Sequence, residues 1–298
     1  MADGGFVSGF VAICGRPNVG KSTLLNQLLG RKLAIVSSRP QTTRNRILGV
    51  LDLPGAQVAL LDTPGLHRPR HRLGEYMVRV ALAALKQVDL VLWLVEGLRP
   101  PGPGDRYVAG LLRPLGPRVL LVVNKIDLVP AAVVPGVVAE YAALGSFGGA
   151  LAVSALCGAG LDELLREVVR RLPSGPRYYP EGTVTDRPEE FVVAELIREQ
   201  ALLLTHHEVP HAVAVVVEEI SARPGGRVYV RATVYVEKES QKGILIGRGG
   251  LRLKELGQRA RAEIEALLGS PVYLDLWVKV KRDWRQDVHA IEALGYRE

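Results

Sequence analysis

Two cysteines in 298 residues, Cys14 and Cys157, are too few for a disulfide framework, and both sit in apolar or Gly-rich surroundings. A reducing compartment is expected. Aromatic residues make up only 5% of the chain, so Val, Leu, Ile and Ala must fill its core. Runs such as Val88 to Val95 and Val119 to Val123 fall well short of the roughly 18 residues a membrane span needs, so they read as buried strands. The start, Met1 to Gly9, has no basic region followed by a long apolar run, and export is not expected. No internal repeat is present, and the 32 Gly and 19 Pro follow no period, which excludes collagen-like and low-complexity chains. With 48% hydrophobic residues the chain has ample material for globular cores, and its length suggests two domains.

What the chain has in excess is positive charge. The formal net charge is +7 and 29 of the 38 basic residues are Arg, which directs the search to a polyanionic partner. Placement decides more than the total. Divided at Pro173, the first part carries +8 and the remainder −1, yet seven basic residues (Lys238, Lys242, Arg248, Arg252, Lys254, Arg259, Arg261) crowd a stretch with only Glu239 and Glu255 against them.

Up to Leu172, apolar strand-like runs (Phe10 to Cys14, Val58 to Leu61, Leu90 to Val95, Val119 to Val123, Ala150 to Val153) alternate with amphipathic helical stretches. This pattern implies a mostly parallel sheet covered on both faces, a doubly wound α/β domain over 1–173. The stretch 174–188 is dense in Pro, Gly and turn formers and reads as a linker. A smaller α+β domain is expected over 189–298. It has a helix at Glu189 to Leu204, strands at Ala212 to Ile220 and Arg227 to Val236, and a helix from Leu251 to about Leu268. A strand at Val272 to Val280 and a last helix near Trp284 to Leu294 complete it.

Gly15-Arg16-Pro17-Asn18-Val19-Gly20-Lys21-Ser22, followed by Thr23, matches G-x-x-x-x-G-K-[ST] between a strand and a helix, the context this phosphate loop requires. Glycines let backbone N–H groups wrap a β-phosphate, and the helix N-terminus adds about half a positive charge. Lys21 then bridges β- and γ-phosphates, and Ser22 ligates Mg²⁺. Such a loop does not choose its base. Asn124-Lys125-Ile126-Asp127, at the C-terminal end of a strand, resembles the guanine motif of the GTPase superfamily. A carboxylate at Asp127 accepts from guanine N1–H and N2–H₂, a donor pair adenine lacks. The resemblance further implies that Asn124 holds the loop and contacts guanine near N7, that Lys125 covers the ring, and that Ser154-Ala155-Leu156 supplies an N–H to O6.

Asp62-Thr63-Pro64-Gly65 matches the D-x-x-G switch element, with Asp62 serving Mg²⁺ through water and the Gly65 N–H meeting the γ-phosphate. Arg39-Pro40-Gln41-Thr42-Thr43-Arg44 lies where the first switch belongs; Thr43 is favoured over Thr42 as the Mg²⁺ ligand. After D-x-x-G, where Ras-like proteins carry a water-positioning Gln, this chain has Leu66, so intrinsic turnover of about 10⁻² s⁻¹ or below is expected. Asn18 resembles the residue that ligates a K⁺ ion in GTPases of the TrmE, Era and EngA group.

Gly247-Arg248-Gly249-Gly250, after Ile244-Leu245-Ile246, is a G-x-x-G loop. With 32 Gly about three such tetrapeptides arise by chance, Gly145 to Gly148 among them, so the weight rests on element order and on the basic run. Helix, strand, strand, helix, G-x-x-G, helix, strand resembles a type II KH domain. Such a loop presses its backbone against a single strand's sugar-phosphate chain, Lys242 and Arg248 neutralise phosphates, and Ile244 and Ile246 floor a groove for bases. For each isoleucine, core packing is at least as good a reading. Trp277 and Trp284 are left outside the site.

One phosphate loop, Q-T-T-R, D-T-P-G-L and N-K-x-D, followed by a KH domain, resembles the Era GTPases over nearly the whole chain. That resemblance implies a cytoplasmic, monomeric GTPase using GTP, GDP, Mg²⁺ and K⁺. Its partners would be the 3′ end of 16S rRNA and the 30S subunit during maturation, with weak peripheral membrane association implied although no lipidation or amphipathic signal for it occurs. Two alternatives remain open: a GTPase acting on another RNA, in tRNA modification or large-subunit assembly, and a non-catalytic RNA-binding module that holds nucleotide.

Overall fold

The structure, a computed structural model, describes residues 5–37, 39, 41–69 and 71–296. Pro40 of the first-switch stretch and residues 1–4 of the start discussed above therefore lie outside the described residues. The chain separates into two compact units with the change at Asp186 to Arg187, the described residues of 35–42 and 71–73 grouping with the second.

In the first unit the strands are β1 (Val7–Gly15), β2 (Ile47–Leu53), β3 (Ala56–Asp62), β4 (Leu90–Glu96), β5 (Val119–Asn124) and β6 (Ala150–Ala152), in spatial order β2-β3-β1-β4-β5-β6. All neighbours run parallel except β2, which pairs antiparallel with β3. The helices are α1 (Lys21–Leu29), α2 (Arg72–Lys86), α3 (Pro103–Leu112), α4 (Val134–Ala142) and α5 (Leu161–Arg171). The central strands are unbroken apolar runs because both their faces are covered, and Trp93, Val95, Leu121 and Val123 are fully buried. β1 lies between β3 and β4, where the strand order reverses, so its C-terminal end opens at the topological switch point.

β2 is absent from the strands anticipated above. It continues through Pro54-Gly55 into β3, with Leu53 opposite Ala56, and this Pro-Gly turn between two apolar runs is a hairpin signal. α5 follows its sequence closely: Leu161, Leu164 and Val168 face inward, Asp162 and Glu163 occupy the first turn, and Arg170 and Arg171 the last, all favourable to the helix dipole.

The stretch read as a linker is held against the first unit over much of its length. Ser8 Oγ donates to Pro176 O (2.6 Å), Gly175 N to Phe6 O (3.0 Å), and Val50 N to Val184 O (2.9 Å). Gln57, buried near the start of β3, accepts from Tyr178 N and Tyr179 N at Oε1 and donates to Tyr179 O and Asp52 Oδ1. Asp52 also accepts from Arg177 and from Gly182 N.

The second unit contains α6 (Glu189–Leu204), α7 (Val209–Ala212), β7 (Ala214–Arg223), β8 (Arg227–Val236), α8 (Glu239–Ile246), α9 (Leu251–Leu268), β9 (Val272–Val280) and α10 (Val288–Ala293). α7 was not anticipated, and a 3₁₀ turn at Trp284–Gln286 followed by α10 replaces the single last helix. β7 and β8 are antiparallel and β8 and β9 parallel, so the α8–loop–α9 connection is the crossover a parallel pair requires. Val230, Ala232, Val234 and Val236 alternate inward along β8 and meet Val193 and Ile197 of α6 and Leu256, Ala260 and Ile264 of α9. Trp284 belongs to the interior: it is fully buried, stacks on Tyr296 and donates from Nε1 to Ala212 O (2.9 Å).

Candidate functional site

At the switch point the chain turns from β1 into α1 through residues held in conformations that favour glycine: Gly15 has φ 148°, Gly20 φ 98°, and Asn18, the non-glycine exception, φ 67°. A Cβ on Gly15 would lie 2.2 Å from Leu94 O, and one on Gly20 2.4 Å from Asn124 Nδ2. A Cβ on Gly65 would approach Pro17 to 2.8 Å, so the D-x-x-G segment lies directly against the phosphate loop. Leu66 N donates to Gly15 O (2.9 Å).

Four side chains converge beneath this loop. Ser22 Oγ donates to Asp62 Oδ2 (2.7 Å), Thr43 Oγ1 donates to the same oxygen (3.1 Å), and the two hydroxyls are 2.9 Å apart. Lys21 Nζ donates to Arg16 O (3.0 Å). Asp62 is fully buried and its Oδ1 has no hydrogen-bond partner among the described residues. Burial pushes the Asp62 carboxyl up and the Lys21 ammonium down, each opposed by the other's charge. A buried carboxylate oxygen without a donor, beside two hydroxyls, is a hard all-oxygen set suited to Mg²⁺. Thr42 is not part of it, its hydroxyl donating to Arg39 O (2.7 Å). Thr63, by contrast, is structural: N and Oγ1 both donate to Ile13 O.

Asn124 at the end of β5 is a tie. Its Nδ2 donates to Val19 O (2.8 Å) in the phosphate loop and its Oδ1 accepts from Ala155 N (2.9 Å), so one side chain holds two loops. Ala155's N–H is thereby already engaged. Lys125, at φ 66°, donates from Nζ to Asn18 O (2.9 Å) and pairs with Glu96, while Asp127 Oδ1 accepts from Ser154 Oγ (2.6 Å). Leu156 is exposed. Two residues of this neighbourhood escaped the sequence reading, Glu96 behind Lys125 and Asp105, whose Oδ1 accepts from Arg16 Nε (2.7 Å). Both are single carboxylates with no motif around them. Leu66 is fully buried in the core, which removes it from any contact with attacking water.

In the second unit, Gly247, Gly249 and Gly250 all have positive φ (72°, 59° and 79°) and link α8 to α9. A Cβ on Gly247 would collide with Arg252 Cβ at 2.8 Å, whereas Gly249 and Gly250 face open space, leaving their backbone approachable. Arg248 is exposed and Lys242 half-buried. Beside the loop lies an open cleft of about 480 Å³ between α9 and β9, with Leu253, Leu274 and Leu276 as apolar lining and Lys254, Gln258 and Arg261 as donors. Ile244 is exposed and Ile246 packs on the core, and neither lines this cleft. Pairing α9 with β9 is a tertiary fact that no local motif announces.

A phosphate loop with a guanine-type base loop on a doubly wound sheet, followed by a KH-type unit, defines a guanine-nucleotide-binding protein with a nucleic-acid-binding module. Residues 10–125 match a family model described as a 50S ribosome-binding GTPase, and residues 208–285 match a KH domain model. The GTPase Era of Heliobacterium modesticaldum is 50% identical, over 98% of this chain and 97% of its own length. That of Carboxydothermus hydrogenoformans is 52% identical, over 98% and 99%. A crystal structure of Era with MgGDPNP and nucleotides 1506–1542 of 16S ribosomal RNA superposes with a TM-score of 0.96 at 41% identity, covering 98% of this chain and all of that one. A single-residue variant of Aquifex aeolicus Era bound to GDP·AlF₄⁻ gives 0.95 at 40%, with the same coverage. The chain belongs to the GTPase Era family.

Proposed function

We propose that the protein is a GTP-hydrolysing switch that grips the single-stranded 3′ end of 16S rRNA through its KH unit and acts in maturation of the 30S subunit in the cytoplasm. The observation that carries the nucleotide half is the cluster of Ser22 with buried Thr43 and Asp62 under a glycine-lined loop whose neighbour, Asn124, ties it to the base-binding loop. The RNA half rests on family membership and on an open G-x-x-G backbone beside a cleft with apolar floor and cationic rim.

In this reading the loop from Gly15 to Thr23 wraps the phosphates with backbone N–H groups, Lys21 carries charge across β- and γ-oxygens, and Gly65 N–H meets the γ-phosphate. Ser22, Thr43 and Asp62 hold Mg²⁺, which neutralises the charge shared by the β- and γ-phosphates. Thr63 and Pro64 fix the strand end from which Gly65 is presented. Asp127 reads guanine, Lys125 covers the ring, and Asn124 with Ser154, Ala155 and Leu156 shapes the base pocket. With Leu66 in the core, no side chain at that position orients water, so unassisted turnover is slow. Asn18, exposed on the loop, is the residue proposed for K⁺, and equal hydrolysis rates in K⁺ and Na⁺ would remove that role. Lys242 and Arg248 meet RNA phosphates beside the backbone of Gly247 to Gly250, flanked by Ile244 and Ile246. The domains are proposed as 1–173 for nucleotide, 174–188 as connector and 189–298 for RNA, acting as a monomer.

Two measurements test this. Purified protein should release phosphate from GTP, and Lys21→Ala should abolish it; phosphate release that survives the substitution overturns the site. Affinity for an RNA spanning nucleotides 1506–1542 of 16S rRNA should be higher with a non-hydrolysable GTP analogue than with GDP. Nucleotide-independent affinity overturns the switch. Tighter binding to a large-subunit or transfer RNA would replace the 16S assignment.

A further inference from the structure

α6 buries more polarity than its packing requires. Val193, Leu196, Ile197 and Ala201 supply its contact with the core of the second unit, yet Glu195, Arg198 and Glu199, at three- and four-residue spacing on one face, are buried as well. Glu195 accepts twice from Arg198, from Nε (2.7 Å) and from Nη2 (2.6 Å), which answers the guanidinium's charge. A buried pair of this kind gains little over apolar side chains of similar size, so packing alone gives no reason for it.

Arg198 has a second acceptor. Nη2 also donates to Thr42 O, and the neighbouring Glu199 accepts from Val36 N at Oε1 (2.9 Å), so the arm that includes the described residues of 35–42 is fastened to α6 near both its ends. Arg39 adds a third tie just beyond the helix, donating from Nη2 to His206 Nδ1 (2.6 Å). All three bonds lie within the second unit, whose share of this arm stops at Thr42. One peptide bond further on is Thr43, whose hydroxyl meets Asp62 Oδ2 at 3.1 Å and Ser22 Oγ at 2.9 Å. A carbonyl that is held fixes the rigid peptide plane from which the next residue starts. We propose that Arg198 is a positioning residue for Thr43: by holding Thr42 O against α6 it sets the peptide from which Thr43 presents its hydroxyl to Mg²⁺. The proposal rests on the nucleotide reading above and adds to it a side chain of the KH unit that keeps a metal ligand in place.

First-switch contacts are made with the γ-phosphate present and released on hydrolysis, so losing this hold should weaken binding in the GTP state selectively. Glu195→Leu combined with Arg198→Leu removes the pair without stranding a charge. In the full chain, affinity for a fluorescent non-hydrolysable GTP analogue with Mg²⁺ should fall about tenfold, the scale of one hydrogen bond to a charged group, while GDP affinity stays within about twofold. Thr43→Val should weaken analogue binding by the parent as much or more, and should add little on top of the double variant, since both changes act through one contact. In the nucleotide-free protein, amide exchange at Thr43 and Arg44 should quicken. Arg198→Lys keeps a charge against Glu195 but gives up the fork that serves two acceptors; it should show the same selective loss in smaller measure, and it carries the test where the double variant does not fold. Equal weakening of analogue and GDP overturns the proposal, as do effects of Thr43→Val that simply add, or parent-like analogue affinity in a folded variant. Unchanged analogue affinity in Thr43→Val alone overturns first the reading of Thr43 as a Mg²⁺ ligand, and the proposal with it.

Discussion

Asp127 shows how much a single side chain decides. Its carboxylate is oriented by Ser154 Oγ at 2.6 Å, and a carboxylate can only accept hydrogen bonds at neutral pH. Asp127→Asn replaces one acceptor by a donor, which opposes guanine N2–H₂ and suits the carbonyl of xanthine. GTP affinity should fall about 100-fold or more while xanthosine triphosphate gains, as read by competition binding; retained guanine preference would show that the base is chosen elsewhere. Lys21 and Asp62 illustrate a second residue-scale effect. Both are buried, and removing Lys21 takes away the charge that opposes the upward push of burial on the Asp62 carboxyl. Glu167 gives a pH signature. Hydrogen bonds from Arg170 and then Arg171 hold its carboxyl at about 2, below the ordinary 4.5. A depressed carboxyl stabilises the fold above its unfolded value, and that stabilisation is lost as pH falls from about 4.5 toward about 2. Glu167→Gln should lower the melting temperature by about 1–3 °C at pH 6, the scale of a partly exposed ion pair, with the gap closing as pH is lowered through that window. A gap that stays constant down to pH 3 would assign the effect to packing.

Between elements, the phosphate loop is steadied from α3. Asp105, almost fully buried, caps that helix by accepting from Gly102 N (3.0 Å) and holds Arg16 of the loop with its other oxygen. Asp105→Asn keeps an acceptor for the cap but removes the charge that faces Arg16. The melting temperature should move little, while GDP affinity, followed with a fluorescent nucleotide, weakens about three- to tenfold; the reverse pattern would make Asp105 a structural cap alone. The connection after α5 carries the opposite lesson. Its Pro and Gly content announces irregular backbone and hides that Gln57 and Asp52 hold that backbone in place. The available signal was a lone Gln in an apolar strand, since a buried amide must find partners. β2 was passed over although Pro54-Gly55 marks its hairpin, because an apolar run of this length does not declare itself strand or helix.

At the scale of the molecule the apolar interior divides by unit, with buried clusters around Trp93 in the first and around Val230 and Ile264 in the second. Each unit buries its own apolar surface, so calorimetry should resolve two transitions. Mg·GDP should raise one and RNA chiefly the other, each by the binding free energy of its own ligand. A single transition moved equally by either would contradict separate cores. Motifs made of adjacent residues were readable from the chain alone: the phosphate loop, D-x-x-G, N-K-x-D and G-x-x-G each depend on local backbone geometry that glycines and strand ends encode over a few positions. The extents of α6, α9, β8 and β9 were equally legible, and along β8 the alternation also reports which face is buried. Folding decided which distant atoms meet. It gave the favoured Thr43 its contact with Asp62, gave Asn124 its two partners at Val19 and Ala155, and set α9 against β9 to open the cleft beside the G-x-x-G loop, which no motif announced. These pairings depend on how elements pack across many residues of separation, and a linear pattern carries no record of which side chains will meet there.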